Sequence, residues 1–232
     1  MCTAITYRGS DLLYGFNLDI DPCVWKFSVR KTPKVFAVGI TVGKTTYLVH
    51  GVRSDGRFGV VPYSNSERVP VPRGLRRERI DLMSDRYLRG KYSYADVEQI
   101  VRTKAVVSIP AAPMHALFGS GCGDVLLVEP GFGYRRVEEP FTVLTNFPVL
   151  TALSDYSNPF YGKDRWDRAA SVLSRAGTDF GAEDALRLLY ETRQEGPWAT
   201  RVSFVYSKNR NAVFYFLNGD PSQTEIHRFA AD

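Results

Sequence analysis

The chain consists mainly of short apolar runs that are rich in β-branched residues and are separated by glycine, proline or charged turns. In its first third, such runs occupy residues 24–29, 35–42, 45–52 and 58–63. Runs of this length between turn residues are typical of successive antiparallel strands. This alternation of strand and turn restricts the folds open to the chain more than any other feature of the sequence.

Two tight turns are predicted near the start of the chain. The apolar stretches 2–7 and 12–19 flank the polar segment Arg8-Gly9-Ser10-Asp11, which predicts a β-hairpin over the first nineteen residues. The pair Gly43-Lys44 separates two later strands and predicts a second hairpin turn.

Four segments have a helical pattern, and they fall into two pairs along the chain. Ser93 and Asp96 form a capping-box pattern at the start of one helix. Asp164 is predicted to cap another helix, which runs to Ala176 and stops at Gly177. The other two helices are predicted over residues 80–89 and 182–193.

Further strands are predicted after each pair of helices, at residues 106–109, 115–118, 125–129, 134–137, 142–144, 201–206, 212–217 and 225–229. Runs of strands that alternate with pairs of helices favour a layered α+β fold over an alternating βαβ fold. Two antiparallel sheets packed face to face, with helices on the outer faces, would use every predicted element.

Length and composition fit one globular domain spanning residues 1–232. The hydrophobic content of 44% is enough for a core, and no apolar run approaches the length that spans a bilayer. The sequence shows no secretion signal, and three cysteines make a poor disulfide framework. We therefore expect a cytoplasmic protein that has no membrane partner.

A basic segment interrupts the otherwise mixed charge pattern, within a net charge of +5. Such a cluster could bind phosphate or an acidic partner, which gives one alternative function, a basic surface that binds a polyanion. Acidic residues are interspersed and no aromatic pattern of an RNA-binding kind accompanies it, so we expect no nucleic-acid partner. The basic residues are Arg68, Arg73, Arg76, Arg77, Arg79, Arg86, Arg89 and Lys91.

Cys2 follows the start methionine directly, and cysteine is small enough for Met1 normally to be removed. Removal would leave one residue with both a thiol and a free α-amine, whose ordinary pKa values are about 8.5 and about 8. A nucleophile with its own amine as general base is a known activated arrangement. The alternative interpretation is that Cys2 is an incidental residue of an edge strand.

Several separated motifs resemble those of the penicillin V acylases and choloylglycine (bile-salt) hydrolases, which are N-terminal-nucleophile hydrolases of linear amides. Together they extend over most of the chain, in the family's order. The motifs are Met1-Cys2-Thr3, Gly15-Phe16-Asn17-Leu18-Asp19, the segment 55–63, Leu144-Thr145-Asn146-Phe147-Pro148 and Asp164-Arg165-Trp166-Asp167-Arg168.

The resemblance implies an αββα sandwich, no cofactor or metal, and a small N-acyl amide as substrate. It also implies five site residues. Cys2 would be the nucleophile, Asp19 would hold its amine, and Arg165 would favour the ionised sulfur. The side-chain N–H of Asn146 and the backbone N–H of Tyr63 would bind the oxyanion. The sequence leaves open whether the protein forms a homo-oligomer.

The chain departs from the family at one position, because Phe16 stands where members usually carry an arginine beside the nucleophile. A catalytically impaired relative with a binding or structural role is therefore the second alternative. The chain is also short for the family, so we do not expect bile-salt specificity. Each of the other four site residues, taken alone, also has a purely structural interpretation. These are a strand-end cap for Asp19, a turn residue for Asn146, a solvent-facing helix residue for Arg165 and a core residue for Tyr63.

Overall fold

Two antiparallel sheets face each other in the computed structural model, which describes residues 2–66, 76–109, 112–151 and 161–230. The first sheet has the strand order β12-β1-β2-β13-β14-β15. Its strands are β1 (Cys2–Arg8), β2 (Leu12–Asp19), β12 (Phe141–Leu144), β13 (Thr200–Ser207), β14 (Ala212–Leu217) and β15 (Glu225–Arg228).

The second sheet has the strand order β11-β10-β9-β6-β5-β4-β3. Its strands are β3 (Lys26–Thr32), β4 (Val35–Val42), β5 (Thr45–Arg53), β6 (Phe58–Val60), β9 (Ala116–Gly119), β10 (Val125–Glu129) and β11 (Gly133–Val137). A separate two-stranded parallel ribbon joins β7 (Arg77–Arg79) to β8 (Ala105–Val107).

A pair of helices covers the outer face of each sheet. The helices are α1 (Ile80–Leu88), α2 (Tyr94–Thr103), α3 (Lys163–Leu173) and α4 (Ala182–Glu191). Side chains of α1 and α2 pack with β9 and β10, and those of α3 and α4 pack with the first sheet. The predicted αββα sandwich is confirmed. Within the described residues, no helix is long and apolar enough to cross a membrane.

Strand β2 lies at the centre of the first sheet and is buried along its whole length. Successive side chains of a strand point to opposite faces, so one strand can serve two cores. Tyr14, Phe16 and Leu18 point into the core between the sheets, whereas Leu13 packs against the helices. The predicted first hairpin and the turn at Gly43-Lys44 are both confirmed.

Several predicted boundaries are wrong for local physical reasons. The strand predicted over 24–29 begins at Lys26, because Asp21 accepts backbone hydrogen bonds that fold residues 21–25 into a turn. Asp164 does not cap α3. The N-cap is Gly162, and the helix ends at Leu173, well before Gly177. Cys23 and Cys122 are exposed free thiols, so an interpretation of them as small structural residues would be wrong.

Candidate active site

Cys2 begins β1 and pairs with Leu18 of β2, so the neighbouring strand fixes its position on that side. The side chain is only 4% exposed, and it lines a cavity between the two sheets. The Cys2 nitrogen donates a hydrogen bond to Oδ1 of Asn146 at 3.0 Å. Met1 lies outside the described residues.

Arg165 points from the first turn of α3 into the protein and is 3% exposed, so it is not a solvent-facing helix residue. Its guanidinium donates to the Cys2 carbonyl at 2.6 Å and to Oδ1 of Asn146 at 2.7 Å. It also donates to Oγ1 of Thr3 at 2.9 Å. A buried guanidinium needs such acceptors to offset its lost hydration, and here three of them surround the candidate nucleophile.

Asp19 ends β2 beside the same guanidinium, with 3.6 Å between Oδ2 and a nitrogen of Arg165. Its Oδ1 accepts a hydrogen bond from the Thr200 hydroxyl at 2.5 Å. Burial raises the pKa of Asp19 to about 6, while the charge of Arg165 and the Thr200 hydrogen bond oppose the rise. This pKa lies well above that of an ordinary aspartate.

Burial also raises the pKa of the Cys2 thiol, to about 11, and the charge of Arg165 acts in the opposite direction. A thiol with this pKa is almost entirely protonated at neutral pH. Attack by this sulfur therefore requires a base close to it or a further source of positive charge.

Asn146 is fully buried, and the orientation of its amide is fixed by contacts at both ends. Its Oδ1 accepts from Cys2 and Arg165, so the opposite end must carry the nitrogen, which donates to the Tyr63 carbonyl at 2.6 Å. The amide nitrogen carries a second hydrogen. Asn146 is thus a member of the cluster and not a mere turn residue.

Tyr63 forms an isolated antiparallel bridge with Met114, and 38% of its surface is exposed, so it is not a core residue. The hydrogen bonds of this bridge run from Ser64 to Pro113 and from His115 to Pro62. Tyr63 therefore occupies a non-hydrogen-bonded position, and the bridge does not use its N–H. Tyr63 lines the same cavity as Cys2.

The cavity has a volume of about 510 Å³ and mostly apolar walls. No lysine or arginine of the described ranges lines it. Its polar lining includes His50, whose Nδ1 accepts the Val61 N–H at 3.2 Å. Burial lowers the pKa of His50 to about 3, so the ring is neutral and carries its hydrogen on Nε2. The apolar walls include Leu18, Ile20, Trp25, Ile40, Met114 and Trp198.

Phe16, at the position of the family's arginine, lies fully buried between the sheets. Its ring stacks on His50 with centroids 4.4 Å apart and contacts Phe204 at 5.9 Å. Among the described residues, Arg165 places a positive charge beside Cys2.

The structure thus brings together four predicted site residues, Cys2, Asp19, Asn146 and Arg165, and links Tyr63 to them through Asn146. Sequence reasoning missed Thr200 and His50. Thr200 is 181 residues from Asp19 and meets it only through the pairing of β13 with β2, which no local pattern reveals. The burial of His50 follows only from the packing of the two sheets.

The basic segment is described in part, because residues 67–75, including Arg68 and Arg73, lie outside the described ranges. Three described members form ion pairs with nearby acids. These are Arg79 with Asp81, Arg86 with Glu78, and Arg89 with Asp85. Their charge is thereby partly neutralised, which weakens the case for a polyanion-binding surface in this part.

Several solved structures share the fold. A mutant form of the conjugated bile acid hydrolase from Clostridium perfringens matches with a TM-score of 0.66 at 12% identity, over 97% of this chain and 92% of that one. Penicillin V acylase from Agrobacterium tumefaciens matches with a TM-score of 0.59 at 15% identity, over 93% and 83%. The Caenorhabditis elegans ortholog of N-acylethanolamine-hydrolyzing acid amidase gives 0.59 at 16% identity, over 89% and 93%.

No protein-family model and no curated protein matches the sequence. The resemblance predicted from the sequence motifs is therefore confirmed at the level of the fold, across nearly the whole chain.

Proposed function

We propose that this chain is an amidase that hydrolyses a linear carbon–nitrogen amide bond of a small N-acyl substrate. The observation that carries the proposal is the buried cluster in which Arg165 and Asn146 both contact Cys2 at the wall of an apolar cavity. The structures with the same fold include proteins named as a bile acid hydrolase, a penicillin acylase and an acid amidase.

In the proposed reaction, removal of Met1 frees the Cys2 amine, which takes the proton of the thiol. The sulfur then adds to the amide carbon, and the π electrons of the carbonyl move onto oxygen. The second N–H of the Asn146 amide and the N–H of Tyr63 bind this oxyanion. Preorganised donors of this kind contribute roughly 3–4 kcal/mol each to the stability of the transition state.

Collapse of this intermediate breaks the carbon–nitrogen bond, and the Cys2 ammonium gives its proton to the departing amine. The acyl group remains on sulfur as a thioester. Water then transfers a proton to the Cys2 amine and adds to the thioester, which releases the acid and restores the thiol. Asp19 holds the ammonium that forms, and Arg165 stabilises the thiolate.

The apolar walls of the cavity favour an apolar acyl group, because burying it removes apolar surface from water. No cofactor or metal takes part in the proposed reaction. A reducing cytoplasm remains our proposed compartment, because the nucleophile is a thiol and the described cysteines are all free.

The proposal is tested by incubating the protein with a panel of N-acyl p-nitroanilides and measuring its intact mass. We expect a mass that lacks Met1, a transient adduct equal to one acyl group, and release of p-nitroaniline. Cys2→Ala keeps the fold and loses both adduct and release. Cys2→Ser supplies an oxygen nucleophile in place of the sulfur and should keep at most a trace of activity. A chain that retains Met1 would contradict the proposal.

The alternative is a catalytically impaired relative that binds a similar ligand in the same cavity. The observation that favours it is Phe16, which leaves the site without the family's arginine. This alternative predicts saturable binding of the acyl amides, measured by calorimetry, with no adduct and no release even when Met1 is absent. The two functions therefore give opposite results in the same panel.

A further inference from the structure

A buried pair of titratable side chains, His115 and Glu129, takes no part in the proposed reaction. His115 is 0% exposed and Glu129 is 2% exposed, and their side chains are 3.4 Å apart. Glu129 ends β10 of the second sheet, and His115 directly precedes β9 of the same sheet.

His115 contacts the residue that precedes each proposed oxyanion donor. Its backbone N–H donates to the carbonyl of Pro62, next to Tyr63, at 3.2 Å. Its ring Nε2 lies 2.8 Å from the carbonyl of Thr145, next to Asn146. A carbonyl can only accept, so this ring nitrogen must carry a hydrogen. One residue therefore ties the backbones of both donor segments together.

Glu129 holds the same segment from its other side. Its two carboxylate oxygens accept the backbone N–H groups of Val149 at 2.5 Å and Leu150 at 2.8 Å. Burial alone would raise the pKa of Glu129, but hydrogen bonds from His115 and these backbone groups keep it below its usual range. The carboxylate of Glu129 lies 3.4 Å from Nδ1 of His115, so it contacts the imidazole ring on the nitrogen that does not face Thr145.

These contacts cross from the second sheet to the segment that leaves β12 of the first sheet. The side chain of Asn146 closes the arrangement by donating to the Tyr63 carbonyl at 2.6 Å. An oxyanion donor misplaced by a fraction of an ångström loses much of its effect, so a rigid support has a direct catalytic consequence.

We infer that His115 and Glu129 are positioning residues that set the geometry of the oxyanion donors Tyr63 and Asn146. The inference rests on the proposed function, since it concerns the same site. The pair should therefore affect the stability of the transition state and not the binding of the substrate. Loss of the pair therefore lowers kcat and leaves KM nearly unchanged.

The test compares Glu129→Gln with a matched control, Glu78→Gln, with Met1 removed from every protein. Glu78 is likewise buried and ion-paired, with Arg86 and Lys104, but it lies in the β7–β8 ribbon away from the cavity. Two reactions of Cys2 are followed in each protein. Acylation by a p-nitrophenyl ester needs the oxyanion donors, whereas alkylation by iodoacetamide, a displacement at a CH₂ group, does not.

We expect Glu129→Gln to slow acylation by about 10-fold to 100-fold, with alkylation changed by less than about twofold. Glu78→Gln should leave both rates near those of the wild type, whatever its effect on stability. In an Asn146→Ala background, Glu129→Gln should slow acylation by a smaller factor than it does in the wild type, because one of the two donors that the pair positions is gone.

Equal slowing of acylation and alkylation would overturn the inference, as would full additivity with Asn146→Ala. If Glu129→Gln does not fold, His115→Gln, which keeps one donor toward Thr145, takes its place with the same expected results. Failure of the wild-type protein to cleave any amide, with normal acylation by the ester, contradicts the proposed function and leaves the positioning inference intact.

Discussion

At the scale of single residues, the site depends on how the buried charge of Arg165 is held by its neighbours. Arg165 has hydrogen-bond acceptors on Cys2, Thr3 and Asn146 and lies beside the Asp19 carboxylate. A buried charge with this many partners is held in one place. The same contacts place its positive charge next to a thiol whose pKa is raised by burial, and this charge opposes the rise.

Replacing Arg165 by Gln should reduce the reactivity of Cys2. Loss of the charge removes an influence that lowers the pKa of the thiol, so less thiolate is present at a given pH. We expect alkylation by iodoacetamide at pH 8 to slow by about tenfold, which is a shift of about one pKa unit. Arg168→Gln is the control, because Arg168 lies on the same helix but is exposed and donates to the Glu191 carbonyl. Equal rates in both variants would contradict the prediction.

The activity should depend on pH through the ionisation of Asp19. Burial raises the pKa of this carboxyl group to about 6, so the group gains a proton as pH falls through that value. The protonated form cannot hold an ammonium, and we therefore expect kcat/KM to decline on the acid side with a midpoint near pH 6. Asp19→Asn should lose on the order of 100-fold in kcat/KM at pH 7.5.

The profile of kcat/KM from pH 4.5 to 8.5 measures this acid limb. The unfolding midpoint of each protein at each pH serves as the control for acid denaturation. A flat profile between pH 5 and 7 in the wild type would remove Asp19 from the proposed role.

At the scale of elements, the start of α3 determines where Arg165 lies. Gly162 has φ 71°, in the left-handed region where a side chain causes strain. A Cβ placed on Gly162 would lie 2.2 Å from Nη2 of Arg165. Glycine is therefore needed at this position for two reasons, because the backbone has a positive φ and because the guanidinium of Arg165 packs against it.

Gly162→Ala should displace Arg165 and reduce activity. We expect a loss of at least about tenfold in kcat, and a fall of about 1–3 kcal/mol in the free energy of unfolding. The matched control is Gly43→Ala. Gly43 has a similar φ of 62°, but nothing lies within 4 Å of its added Cβ, so it shows the backbone cost alone. Full activity in Gly162→Ala would show that Arg165 tolerates the displacement.

The same elements show what the sequence could predict. The first hairpin and the capping box of Ser93 with Asp96 depend on neighbouring residues, and both were predicted correctly. Strand β7 was missed, because Arg77-Glu78-Arg79 has no apolar pattern, whereas its partner β8 overlaps the strand predicted over 106–109. For the candidate site, motif resemblance predicted Cys2, Asp19, Asn146 and Arg165, which the structure brings together. The contact of Thr200 with Asp19 arises only from strand pairing.

At the scale of the whole molecule, the site lies where the two sheets meet. Cys2 and Asp19 come from the first sheet, and Tyr63 and His115 come from segments attached to the second. Contacts such as the hydrogen bond from Asn146 to the Tyr63 carbonyl join the two. We therefore propose that the chain unfolds as one domain. Scanning calorimetry should show a single transition, in which the calorimetric enthalpy of unfolding equals the van't Hoff enthalpy.

Phe16 offers the sharpest test of how this core constrains the site. If the missing arginine alone limited activity, Phe16→Arg would raise it. The side chain is fully buried between the sheets and stacked on a neutral imidazole, so a guanidinium there would have no partner of opposite charge among the ring contacts that Phe16 makes. We expect Phe16→Arg to lower the free energy of unfolding by roughly 4–5 kcal/mol and to give no gain in kcat.

Phe16→Leu separates the loss of packing from the burial of charge, because it keeps an apolar side chain and should cost only about 1–3 kcal/mol. Urea denaturation, followed by near-UV and far-UV circular dichroism, measures both variants. A stable and more active Phe16→Arg protein would mean that this core can still hold the family's arginine. The expected result means instead that the packing of Phe16 against His50 is part of the core, and that positive charge at Cys2 has to come from Arg165 and from the Cys2 amine.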